Sequence, residues 1–155
     1  MPALTQVEVN SLLDYRYRGQ GSGARTASYM GLMIVMPTRA TPGTEASTGA
    51  GYTGCARQSF PLSLTNVSGT QSDGSTSASS GTREYVSNNV AINFSSSLAA
   101  AWNNIVAVGF FDALTGGALR EWYPITDDAG TPIVLSRNAG ESFIIAPAQL
   151  RFYAR

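Results

Sequence analysis

The chain has no histidine and no lysine, a single cysteine and ten arginines, so the chemistry open to it is narrow. Without histidine it lacks the commonest general base, the Ser–His and Cys–His nucleophile pairs and the usual ligand of zinc, copper and iron. Paired carboxylates are what remain, and they would act as the acid and base of a glycosidase-type centre. Asp127 and Asp128 are the only adjacent acidic pair. Neighbours on a strand point to opposite faces, however, and Gly130 marks this stretch as a turn. With Thr131 the pair also offers too few oxygens for a calcium loop. Glu121 and Trp122 could join the two aspartates only in a carbohydrate-binding or carbohydrate-cleaving surface. Cys55 reads as a small buried hydrophobe. Catalytic, cofactor-binding and metal-ligating residues are therefore all expected to be absent, and the chain is expected not to be an enzyme.

One further motif carries the letters of a chemistry. Residues 49–54, Gly-Ala-Gly-Tyr-Thr-Gly, match a dinucleotide fingerprint. That fingerprint works only between a strand and a helix whose amino terminus holds the pyrophosphate. A polar loop broken by Pro42 precedes it and a strand-like segment with Pro61 follows, so a plain loop is expected. Tyr15, Tyr17, Trp102 and Trp122 could stack on sugars or bases, but without a basic groove they read as core or interface anchors.

Ten acidic residues balance the ten arginines, and the arginines are scattered. This leaves no footprint for nucleic acid or an anionic membrane. The longest apolar run, Met30 to Met36, is too short to span a bilayer, and no basic stretch followed by an apolar one opens the chain. A product made in the cytosol is expected.

The elements that would position any site are mostly strands. Charged residues make up 13% of the chain, about half the usual share of roughly 25%, and Ser, Thr and the 16 glycines dominate the rest. Thr5 and Glu8 have the spacing of a capping box, and Leu4 and Val9 that of a hydrophobic staple. Val9, Leu12, Leu13 and Tyr17 then recur at helical spacing until Gly19, predicting one helix over residues 6–18. Its apolar stripe is a candidate partner-docking surface, equally suited to covering the protein's own sheet.

A glycine-rich connector over 19–23 leads to a buried strand, Tyr29 to Met36, and a long loop over 38–54. A second strand region, 55–64, follows. Residues 66–84 are almost wholly Ser, Gly and Thr and cannot bury enough apolar surface to offset their ordering entropy, so a flexible or partner-ordered loop is expected there. Alternation at Val90, Ile92 and Phe94, the apolar run Ile105–Phe111, a tight hairpin over Asp112–Gly117 and short segments to Tyr153 complete about eight strands. The expected fold is a single mainly β domain over 1–155, an antiparallel sandwich or jelly-roll-like barrel with an amino-terminal helical segment, 1–20.

The order of these segments resembles a family of small tailed-bacteriophage virion proteins, often labelled tail fibre proteins. Leu12-Leu13-Asp14-Tyr15 followed by Tyr29-Met30-Gly31-Leu32 resembles the family's helix and aromatic-led strand. Gly51-Tyr52 with Ala56-Arg57-Gln58, interrupted by Thr53-Gly54-Cys55, resembles its glycine-tyrosine-alanine-arginine-glutamine segment. Trp102 to Val108, Gly109-Phe110-Phe111-Asp112-Ala113, Thr115-Gly116-Gly117 and Asn138-Ala139-Gly140-Glu141-Ser142-Phe143 are similar to its tryptophan strand, hairpin and turn. The resemblance implies a virion component assembled in a bacterial host, partnered by the major capsid protein or tail proteins. A short chain without repeats or a trimerisation stalk makes a poor fibre alone, so a capsid decoration or cement protein is expected, with a tail-fibre, baseplate or tail-tip protein as the alternative. Homo-oligomerisation is expected because strand edges and the helix stripe gain by being covered.

Overall fold

The computed structural model describes residues 6–21, 28–127, 129 and 131–153, with the backbone alone for residues 6–9. Leu4, Thr5 and the side chains of Glu8 and Val9, which would form the expected capping box and staple, and the turn residues Asp128 and Gly130 lie outside what it describes. The described residues are mainly β and antiparallel, with one α-helix at the amino-terminal end, as the sequence predicts. Among the described residues eleven strands stand against the eight or so expected, because several are pieces of two or three residues too short to leave a periodic signal. The residues gather into two compact units, Met1–Ala27 with Phe60–Ile92 and Ile145–Arg155, and Ser28–Ser59 with Asn93–Ile144.

The second unit is built on the apolar strand β1 (Tyr29–Val35), which contains no charged residue and is buried from Met30 to Met33. It pairs along one edge with β7 (Ala107–Phe111), buried throughout, and along the other with the short β2 (Thr44–Glu45) and β3 (Gln58–Ser59). β7 turns through a hairpin over residues 112–118 into β8 (Leu119–Pro124), giving the order β2-β1-β7-β8 with β3 beside β2 on the edge of β1. Gly116 and Gly117 carry the positive φ angles, 65° and 68°, that this hairpin needs. β6 (Trp102–Ile105) pairs with β9 (Leu135–Arg137), and Phe94 on β5 (Ile92–Ser95) meets Phe143 on β10 (Phe143–Ile145) edge-on at 6.0 Å.

Gly31 and Gly109 face each other across β1 and β7. A Cβ at Gly31 would lie 2.9 Å from the Phe111 ring, and one at Gly109 3.0 Å from the Met33 sulfur. The missing side chains are the space in which Phe111 packs with Met33 and Ala107. Gly31→Ala is accordingly expected to destabilise this unit by about 1–3 kcal/mol through overpacking, seen as a lower denaturation midpoint with an unchanged m-value.

In the first unit, α1 (Gln6–Tyr17) ends one residue short of the predicted range. Gly19 adopts φ 62°, and the Gln20 N–H returns 3.1 Å to the Asp14 carbonyl. Beneath the helix, β4 (Tyr85–Ser87) pairs with β11 (Arg151–Tyr153), bringing Val86 opposite Phe152. Both are fully buried, and Phe152 stacks on Tyr17 with ring centroids 5.0 Å apart. Asn88 closes the end of this pair. Its amide donates to the Val90 and Ala146 carbonyls at 2.9 Å, and its side-chain oxygen accepts from the Leu150 N–H at 2.8 Å. Ala148, in the turn so held, has φ 64°, a left-handed conformation that costs a residue with a Cβ about 1–2 kcal/mol. Ala148→Gly is expected to raise the melting temperature, less the chain entropy that glycine adds to the unfolded state.

Candidate functional site

Two faces of α1 do different work. On the apolar face, Leu13 and Tyr17 are fully buried within their own unit and Leu12 is half-buried; the Val9 side chain lies outside the described residues. Docking on a partner through Leu13 or Tyr17 would therefore require α1 to leave the core it completes.

The other face carries Asn10, Asp14 and Arg18, spaced by four so that they follow one another along the helix. All three reach into residues 67–81. The Arg18 guanidinium, fully buried, places every one of its five N–H groups: Nε on the Val67 carbonyl (3.1 Å), Nη1 on Asp14 Oδ1 (2.7 Å) and Ser79 Oγ (3.1 Å), and Nη2 on the carbonyls of Ser77 (2.5 Å) and, at a long 3.5 Å, Ser75. Asp14 Oδ2 accepts from the Ser79 N–H at 2.8 Å, and its Oδ1 from the Ser79 hydroxyl. Asn10 accepts from the Thr70 hydroxyl (2.9 Å) and donates to the Gly81 carbonyl (3.3 Å). Within the loop, the Ser68 hydroxyl meets that of Ser87 at 2.8 Å, and Ser87 donates to Asp73 at 2.7 Å. The Ser-, Gly- and Thr-rich stretch thus takes from charge-assisted hydrogen bonds what it cannot take from apolar burial.

The second unit has a comparable clamp. Arg57 lies 3.5 Å over the Phe111 ring, pairs with both Glu45 oxygens at 2.8 Å, and donates through Nη1 to the carbonyls of Ala113 (2.7 Å) and Gly116. It ties β2 to the hairpin tip. At that tip Asp112 accepts from the Ala118 N–H at 2.8 Å, which with the Arg120 guanidinium holds its carboxyl below the ordinary 3.8. The sign follows: the folded state prefers the carboxylate, so this brace is present above pH 3.8 and is lost as the pH falls through the depressed value.

Of the residues that sequence singled out for chemistry, Glu121 and Trp122 are neighbours on β8 and Asp127 lies in the turn that follows it. Asp127 accepts from the backbone N–H groups of Ala129 (2.9 Å) and Thr131 (2.8 Å), so its carboxylate closes its own turn. The fingerprint-like stretch is a turn of 3₁₀ helix at Thr48–Ala50, followed by left-handed glycines at 51 and 54 and by no α-helix. It is pinned to β6 by Tyr52, whose hydroxyl donates to the Asn103 carbonyl at 2.7 Å. Among the described residues, no three His, Cys, Asp or Glu side chains gather as a metal site requires.

Cys55 is buried, and burial first, then the negative charge of Glu45, pushes its thiol from an ordinary 9.0 up to about 12. The folded state therefore favours the thiol, and stability conferred by this group is complete below pH 9.0 and declines as the pH rises toward 12. At pH 8 the native protein is expected to resist a disulfide reagent that titrates one thiol in denaturant. Rapid labelling of the native chain would contradict the buried position.

The charged side chains of these clusters are engaged in holding loops. Residues 3–147 match the family model described as Podophage GP4 fiber I protein gp80. The chain belongs to this family. The match spans nearly the whole sequence, from before α1 to beyond β10, and so includes both clamps. The curated proteins contain no match to the chain. Membership makes this a structural protein of a bacteriophage virion from a fibre family, associated with other virion components. Sequence reasoning pointed to the same broad class through the family resemblance. It missed the clamps, although Asp14 and Arg18 stand at a helix i,i+4 spacing that pairs opposite charges.

Proposed function

We propose that the chain is a non-catalytic structural element of a podophage fibre, assembled in the host cytoplasm as a homo-oligomer. The family match over residues 3–147 carries this reading. The fibre description of the family favours the tail over the capsid-decoration role expected from sequence. The expectation of a capsid position rested on the lack of repeats and of a stalk within one chain, and a fibre can be assembled from several kinds of chain. The clamps support a structural role, since they hold polar loops in fixed shapes with side chains that an active site would need free.

Electron cryo-microscopy of the intact particle, with this chain traced into density, tests the position. A few copies on fibres attached to the tail are expected. Regular copies over the shell would overturn the fibre reading in favour of a capsid cement. The absence of catalysis is tested by incubating the chain with host surface polysaccharide: no cleavage is expected, and cleavage abolished by Asp127→Ala would contradict it.

A further inference from the structure

Among the described residues, Arg18, Arg57, Arg83 and Arg120 form ion pairs with Asp14, Glu45, Asp73 and Asp112. Arg151 is different. It is exposed on β11, and its guanidinium lies 5.0 Å from the centroid of the Tyr85 ring. Arg83 lies 5.4 Å from the same centroid, and Tyr153 packs on Tyr85 at 5.6 Å. The register of β4 and β11 sets Tyr85 opposite Tyr153 and Ser87 opposite Arg151, while Val86 and Phe152 between them are buried against the core. Alternation therefore puts Tyr85, Ser87, Arg151 and Tyr153 on one face of this strand pair, where Ser87 is covered by its hydrogen bonds to Ser68 and Asp73, both tyrosines are half-buried and Arg151 is exposed.

Arg and Tyr are the side chains that concentrate binding energy at protein interfaces, and a guanidinium resting against a ring can take a carboxylate by two parallel hydrogen bonds. Among the described residues Asp73 pairs with Arg83 and no carboxylate pairs with Arg151, so the charge this face presents is that of Arg151. We propose that this face of β4–β11 is a contact surface for an acidic segment of a neighbouring virion protein, with Arg151 receiving a carboxylate and Tyr85 and Tyr153 supplying the apolar area around it. The inference rests on the virion reading and adds to it the site and the chemistry of the partner.

The test supplies wild-type or variant chain from a plasmid to cells infected by phage carrying a nonsense codon in the gene for this chain, and counts its copies in purified particles. Arg151→Glu is expected to lower the count at least tenfold, Arg151→Lys to lower it less, and Arg39→Glu, a charge reversal on an exposed loop of the other unit, to leave it unchanged. Circular dichroism of the purified variants confirms that the fold is kept. An unchanged count with Arg151→Glu overturns the proposal, as does an equal loss with Arg39→Glu, which would mean general charge attraction. In a parallel arm, retention of the wild-type chain on polygalacturonate that is lost with Arg151→Glu, while particle counts hold, would reassign the face to an acidic glycan and overturn the protein partner. Absence of the wild-type chain from particles would sink the virion reading itself, a result distinct from all of these.

Discussion

Replacing Arg18 with methionine is expected to destabilise the first unit by about 3–5 kcal/mol, because Asp14 would be left as a nearly buried carboxylate without its partner. The informative comparison is the double variant Asp14→Leu with Arg18→Met. Where two buried charges serve only each other, replacing both by apolar groups is often neutral. Here Arg18 also supplies the carbonyls of Val67 and Ser77, and Asp14 supplies the Ser79 N–H. Each such group left without a partner costs about 1–3 kcal/mol if it stays buried. The double variant is therefore expected to remain destabilised by several kcal/mol, or to release residues 67–81 so that water satisfies them. Amide hydrogen exchange separates the two, since release would remove protection from this loop while α1 and β11 keep theirs. Wild-type stability in the double variant would show that the clamp contributes nothing beyond its own ion pair.

The parts of the fold legible in the sequence were those written in apolar periodicity. β1 and β7 are unbroken apolar runs, and both are interior strands; the hairpin between β7 and β8 is announced by Asp112 and two glycines; α1 shows its stripe and its terminating Gly19. What stayed hidden was written in hydrogen bonds between residues distant along the chain. Nothing around Ser75, Ser77 or Ser79 says that a guanidinium some sixty positions away takes their carbonyls and hydroxyl. Propensity and composition count apolar area, and by that measure the 66–84 stretch has no means of being held; one arginine with five donors supplies a means of another kind. The same blindness applies to Arg57, which reads as one more scattered charge and is a brace between β2 and a hairpin carbonyl. In the helix the apolar stripe was visible, but whether Leu13 and Tyr17 face a partner or β11 depends on Phe152, which lies 135 residues beyond Tyr17.

Trp102→Ala is expected to be the most damaging single truncation in the second unit, at about 3–5 kcal/mol. The indole is fully buried and meets Phe143 with ring centroids 6.1 Å apart. It is also the anchor of the glycine-rich loop, because its Nε1–H donates to the Thr53 carbonyl at 3.3 Å, one residue after Tyr52 has reached the Asn103 carbonyl. Tyr52 in turn accepts at its own carbonyl from the Cys55 N–H at 2.9 Å, so a loosened loop should uncover the thiol. Trp102→Phe keeps most of the ring contact with Phe143 and removes only the donor, and it is expected to cost the neutral hydrogen bond alone, about 1 kcal/mol, with a measurable gain in Cys55 labelling at native pH. Truncation to alanine should produce both a large fall in the denaturation midpoint and rapid labelling. If the alanine variant stayed within about 1 kcal/mol of wild type, the indole could not be a core anchor of this unit, and Trp102 would have to be read as a surface aromatic that the protein can spare.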